Sequence, residues 1–176
     1  PTSPPRCDIQ ALAIDAALGD ADAQYNLAVE FHKGEKVPQD LAKSAALWKL
    51  AGKGGVVSAY NNLGHLTYYG RGIKQNYAEG IRLWRLAATQ GHPESMVHLA
   101  YAHSHGKYLK IDYVEAHAWA AAGKQAALRD ADADMGRTIS EMADDVLAKI
   151  ESNLAAANLP LAKRRAALYI SRYVRK

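Results

Sequence analysis

The sequence predicts an all-α chain built as an array of helix–loop–helix repeats, and three observations carry that prediction. Leu27, Leu63 and Leu99 recur every 36 residues, as do Gly34, Gly70 and Gly106, and Asp40, Asn76 and Asp112. Landmarks sharing one period mark a repeat architecture, in which each unit contacts mainly its neighbours. Alanine and leucine dominate, tyrosine is the commonest aromatic, β-branched residues are scattered and phenylalanine occurs once, a composition that favours helices over strands. At 176 residues the chain is long enough for one substantial core, and repeats join it into one continuous domain.

Residues 1–6 read as a flexible lead. Residues 7–18 place Ile9, Leu12, Ala13, Ala16 and Ala17 on one helical stripe, a cap for the N-terminal end of the stack. The first repeat spans about 19–54. Its helix A, about Asp22 to Lys33, carries Tyr25, Leu27, Ala28 and Phe31 and stops at Gly34. Val37 can plug between helices, and Pro38 suits the start of helix B at about Gln39, which carries Trp48 and ends at Gly54 and Gly55. The second repeat, about 55–91, keeps the design with Tyr60, Leu63, Gly64 and Thr67, then Ile73 for Val37 and a helix B of about Gln75 to Gln90 holding Trp84.

The third repeat, about 92–124, is looser. Its helix A carries Met96, Leu99, Ala100 and His103, and the tryptophan of its helix B, Trp119, falls one residue early. Small residues at Ala28, Gly64 and Ala100 allow facing helices to approach, and the tryptophan slot fills the space between helix pairs. Beyond Lys124 the period fades into a C-terminal helical cap over 125–176. Met135, Ile139, Met142, Val146, Leu147 and Ile150 are helically spaced there; Leu159-Pro160 reads as a break, with a last helix from about Leu161 to Tyr173.

Net charge is +4 but uneven. Lys163, Arg164, Arg165, Arg172, Arg175 and Lys176 crowd the stretch from Pro160 to Lys176 without an acid, leaving the remainder slightly acidic. A solvated face is the simpler reading, since no groove-reading motif accompanies it and no nucleic-acid partner is expected; a basic-tailed peripheral membrane binder is the alternative. Cys7 is the lone cysteine, so the chain has no internal disulfide and no CxxC motif, and Cys7 reads as a small buried hydrophobe. No apolar run reaches the roughly 20 residues that span a bilayer. The opening PTSPPR reads as the start of a processed product, which favours a periplasmic or exported bacterial protein over a cytoplasmic one.

The phrase A-x-x-x-x-L-(G/A), G-x-G-(V/I), D/N, aromatic, A-A-x-x-G resembles the Sel-one-like repeat family, relatives of tetratricopeptide repeats. Ala59, Leu63, Gly64, Gly70, Gly72, Ile73, Asn76, Tyr77, Trp84, Ala87, Ala88 and Gly91 carry it in the second repeat. The first repeat matches through Ala23, Leu27, Gly34, Val37, Pro38, Asp40, Trp48, Ala51 and Gly54; the third, through Leu99, Gly106, Asp112, Ala116 and Trp119, lacks the second loop glycine. The resemblance covers about Gly19 to Lys124. It implies a right-handed α-solenoid with a concave face lined largely by A helices, and a non-catalytic module that binds a partner protein in that groove. Among bacterial members it implies exported proteins, some of them immunity proteins that neutralise a toxin or effector.

On helix A, the stripe spaced i, i+3, i+7 beside the inward one places Asn26, Val29 and Lys33 in the first repeat, Asn62, His65 and Tyr69 in the second, and His98, Tyr101 and His105 in the third. Tyr, His and Asn give an interface both area and hydrogen bonds, so these nine are the candidate partner-binding residues. Histidines concentrate in the third repeat, at His92, His98, His103, His105 and His117. A metal- or ligand-binding regulator is the alternative they raise, but no HExxH or carboxylate pattern accompanies them, and the expectation is no metal and no cofactor. His103, on the inward stripe, reads as a hydrogen-bonded core histidine. Ser95 and Ser104 lie near histidines without a nucleophile elbow, and Asp130, Asp132, Asp134, Asp144 and Asp145 read as helix starts and a solvated face, so no catalytic residue is expected.

Overall fold

The structure, a computed structural model, describes residues 5–129 and 133–174. Asp130, Asp132, Arg175, Lys176 and the side chain of Cys7 lie outside the described residues. The described residues form nine α-helices and no strand: α1 (Pro5–Ala17), α2 (Ala21–Lys33), α3 (Leu41–Lys53), α4 (Val57–Tyr69), α5 (Tyr77–Ala88), α6 (Pro93–His105), α7 (Tyr113–Ala127), α8 (Ala133–Asn153) and α9 (Leu159–Tyr173), with one short 3-10 turn at Ala156–Asn158. The chain divides into two compact units, Pro1–Leu83 and Trp84–Lys176, so the boundary falls inside α5 and not between repeats.

The three periodic landmarks are the devices that start, stop and bury helices. Asp40, Asn76 and Asp112 sit just before α3, α5 and α7, where each side-chain oxygen accepts from a backbone N–H three residues on, at 2.9, 3.0 and 2.9 Å. Their own backbone N–H groups donate to the carbonyls of Phe31, Thr67 and His103, which closes each A–B loop onto the helix before it. Gly34, Gly70 and Gly106 end the A helices in the left-handed region, at φ of 75°, 69° and 67°, where a side chain would be strained. Leu27, Leu63 and Leu99 are all buried.

These caps correct two boundaries. With Asp40 and Asn76 as capping residues, α3 and α5 begin at Leu41 and Tyr77, two residues later than their sequence suggests. At the C-terminal end, Leu159-Pro160 opens α9 and does not break it, because a proline in the first turn gives up no helical hydrogen bond.

In unit 1, α1 packs on α2, α2 on α3 and α3 on α4. The main core joins Ala28, Ala45, Trp48, Ala51, Ala59, Leu63, Leu66 and Leu83, with Tyr25, Val29 and Ile73 against it. Ser44 Oγ donates to the Ala28 carbonyl at 2.8 Å, a buried clasp between α3 and α2. Gly80 brings α5 against α4: a Cβ there would stand 2.9 Å from the Tyr68 backbone nitrogen, so this contact needs glycine's missing side chain. On α1 the inward stripe is narrower than expected, since Ala16 is buried while Ala13 and Ala17 are exposed.

In unit 2, α6 packs on α7, and α7 carries both α8 and α9. Val97 and Ala127 meet Ile139 and Ala143 of α8. Met135 and Met142, helically in phase with that stripe, are nonetheless exposed. The early tryptophan has its explanation in α9: the Trp119 ring lies 4.5 Å from Tyr169 and 5.5 Å from Tyr173, so it packs on the terminal helix, and Ala120 occupies the repeat's own slot, fully buried.

Candidate partner-binding surface

The exposed stripe of α2 and α4 lies in unit 1. Asn26 and Lys33 are exposed, and Val29 is half-buried against the core. Asn62 is half-buried and its Nδ2 donates to the Tyr25 hydroxyl at 3.3 Å, which ties the two A helices side by side. His65 lies tilted against Tyr69 at 4.7 Å, and Tyr69, 40% exposed, lies edge-on at 5.0 Å to the buried Tyr68. Tyr68 in turn meets Tyr77 at 4.9 Å. Tyr69 thus reaches solvent from an aromatic chain that restricts its rotamers, so little entropy is lost when a partner immobilises it.

The corresponding stripe of unit 2 lies on α6. His98 is mostly covered, its ring stacked at 4.6 Å on Trp84 with Glu94 3.6 Å away. Tyr101 stacks at 3.7 Å on His105. His105 Nε2 lies 3.2 Å from Lys149 Nζ, and its Nδ1 lies 3.0 Å from the Tyr101 carbonyl. An ammonium can only donate and a carbonyl can only accept, so in these contacts Nε2 is the acceptor and Nδ1 the donor. Lys149, contributed by α8, is the residue that reading the repeats missed. It stands 44 residues from His105, in a segment without the period.

The other histidines have separate surroundings and do not converge. His92 caps α6, its Nδ1 accepting from Ser95 N–H at 3.3 Å, and His117 meets Glu151 at 3.1 Å. Among the described residues no three His, Cys, Asp or Glu side chains come together as a metal site would require.

His103 departs from expectation. Its ring nitrogens are buried and neither has a hydrogen-bond partner among the described residues. Burial holds its pKa below the ordinary value of 6.5; Arg85 lowers it further, while Glu115 and Asp112 oppose the shift. The fold therefore favours neutral His103, and its contribution is complete above the unfolded value and lost as pH falls through 6.5 towards the lower folded value. His103→Leu is expected to flatten the loss of stability between neutral and mildly acid pH, measured as urea midpoints across that range; an unchanged slope would show that His103 is not the group responsible.

The basic terminal helix is partly engaged in structure. Arg165 pairs with Glu115 at 3.0 Å and Arg172 lies 5.6 Å from the Tyr173 ring centre, while Lys163 and Arg164 are exposed. Asp144 pairs with Lys124 across α7 and α8. Among the described residues no helix is long and apolar enough to cross a membrane.

Comparison with known proteins places this geometry. The family model described as Sel1 repeat matches residues 21–56, 57–92 and 93–123, more than half of the chain. No curated protein matches. Among solved structures, a protective antigen of uropathogenic Escherichia coli strains, displaying an SLR fold, is similar with a TM-score of 0.58 at 21% identity over 94% of this chain. The chain spans only 41% of that antigen. A Sel1 repeat protein from Oxalobacter formigenes is similar with a TM-score of 0.59 at 23% identity, over 76% of this chain and 98% of that one. Sel1 repeats typically serve protein–protein interaction, as scaffolds that are generally not catalytic. The matched repeats coincide with α2–α3, α4–α5 and α6–α7, and the chain belongs to the Sel1 repeat family.

Proposed function

We propose that the chain is a non-catalytic scaffold that captures a partner protein on the A-helix faces of its repeats. The contacts would come from Asn26, Val29, Lys33, Asn62, His65 and Tyr69 in unit 1, and from His98, Tyr101 and His105 in unit 2. The observation that carries this reading is the Tyr101–His105 stack, with Lys149 donating to the histidine's outer nitrogen. Tyrosine is among the residues that dominate binding energy at interfaces, and a ring held by stacking loses little entropy when a partner covers it. His98, largely packed against Trp84, contributes mainly by positioning its neighbours. The cations Lys33 and Lys149 suit a partner that presents carboxylates. In its narrower form the reading makes the partner a secreted effector toxin and the chain its periplasmic or exported immunity protein.

Substituting Tyr69, Tyr101 and His105 together by alanine is expected to abolish partner capture, by at least about 100-fold in affinity. The melting temperature should fall by only a few degrees, because all three side chains reach solvent. Affinity capture followed by mass spectrometry identifies the partner, and calorimetry on the purified pair measures the loss. Undiminished capture by a folded triple variant would remove the A-helix faces from the binding site.

A further inference from the structure

The N-terminal end of unit 1 leaves large aliphatic side chains in the open. Ile14 in the last turn of α1 and Leu18 just beyond it are 61% and 81% exposed, and Leu50 on α3 is 50% exposed. Between the two helices lies a groove of about 470 Å³, lined by Ala13, Ala17, Leu27, Phe31, Leu47 and Leu50. From Ile9 to Leu18 the only polar residues are Gln10 and Asp15. The second half of α1 is therefore apolar beyond the stripe that covers α2, and contiguous exposed apolar surface of this kind marks an interaction site.

We propose that a second copy of this chain occupies this end, in a two-fold contact where Ile14 and Leu18 of each copy enter the groove of the other. Three observations favour a copy of the same chain. The projecting side chains and the groove adjoin on one surface, as a two-fold contact demands, since the patch that inserts must also receive. The groove is about three times the roughly 150 Å³ that accommodates a benzene ring in an apolar protein cavity, so two branched side chains fit. Charge is complementary as well: Asp15 is exposed on α1 beside Ile14, while Lys49 and Lys53 are exposed on α3 on either side of Leu50. Laying α1 of one copy on α3 of the other sets Asp15 towards Lys53, and two-fold symmetry repeats the pairing.

The experiment is sedimentation or light scattering of the full chain from about 1 to about 100 μM. The mass is expected to rise from 19.1 kDa towards twice that value. Ile14→Ser with Leu18→Ser should hold the chain monomeric throughout, with helical content unchanged and, at about 1 μM, a melting temperature close to that of the unsubstituted chain because both side chains are exposed in the monomer. Asp15→Lys and Lys53→Asp should each weaken dimerisation by at least about fivefold, and the double variant should recover most of the loss. A chain that stays monomeric at every concentration overturns the proposal, as does a dimer indifferent to the serine substitutions. Assemblies that keep growing with concentration would mean a head-to-tail contact and overturn the two-fold one. A charge-swapped double variant that does not recover overturns the placement of α1 on α3.

Discussion

Trp84→Ala is expected to destabilise the protein by about 3–5 kcal/mol, the range for removing a large, fully buried aromatic side chain. Trp84 is completely buried, and its indole forms a 4.6 Å stack with His98. The flanking Ala87 and Ala88 are fully buried and carry no side chain long enough to collapse into the vacated space. Much of the cost is therefore cavity, added to the lost transfer free energy. His98 would also lose the surface that holds its ring. Urea denaturation read by helical ellipticity measures the effect. Trp84→Phe, which keeps much of the ring volume, should cost clearly less; equal losses for the two variants would mean that the site relaxes around any replacement.

The sequence discloses this architecture because its periodic residues are backbone devices. A glycine that must adopt positive φ, an Asx residue that must cap a helix and a leucine that must be buried cannot be exchanged freely. Their 36-residue period therefore survives in Gly34, Gly70 and Gly106, in Asp40, Asn76 and Asp112, and in Leu27, Leu63 and Leu99. What lies outside the period is much less legible. Nothing around Glu115 announces that it will meet Arg165 and Tyr169, 50 and 54 residues away. Lys149 reaches His105 from a helix with no counterpart in the repeats. Local chemistry misled at Pro160, where the same residue can stop one helix or start another. It misled again at His103, where inward spacing placed the ring correctly but could not reveal that its nitrogens lack hydrogen-bond partners among the described residues. Helical spacing did bring His65 beside Tyr69 and Tyr101 beside His105. It could not show that His98, in the same column as Asn62, turns against a tryptophan.

Glu115→Ala should cost about 2–4 kcal/mol and loosen α9 from α7. The Glu115 carboxylate accepts from three donors: Trp119 Nε1 at 2.9 Å, the Tyr169 hydroxyl at 2.6 Å and Arg165 Nη1 at 3.0 Å. Two of these donors come from α9, so one side chain on α7 holds the terminal helix at two points. Removing it strands the indole N–H of a buried tryptophan and the hydroxyl of a half-buried tyrosine, whereas Arg165 can turn to water. The Tyr169 phenol carries the signature of this arrangement. Burial raises its pKa well above the ordinary value of 10, and the hydrogen bond to Glu115 and that carboxylate's charge raise it further, against a smaller opposing effect of Arg165. A raised folded pKa means a contribution that is complete below the unfolded value near 10 and is lost as pH rises beyond it. Glu115→Ala should therefore lower stability at neutral pH and also reduce the further loss above pH 10, because the phenol would lose the hydrogen bond and the neighbouring negative charge that help to raise its pKa. Trp119 fluorescence follows the indole, and limited proteolysis within 159–173 follows the release of α9. Glu115→Gln retains one acceptor oxygen and should recover part of the stability; a glutamine variant as weak as the alanine would show that charge, and not hydrogen bonding, holds the junction together.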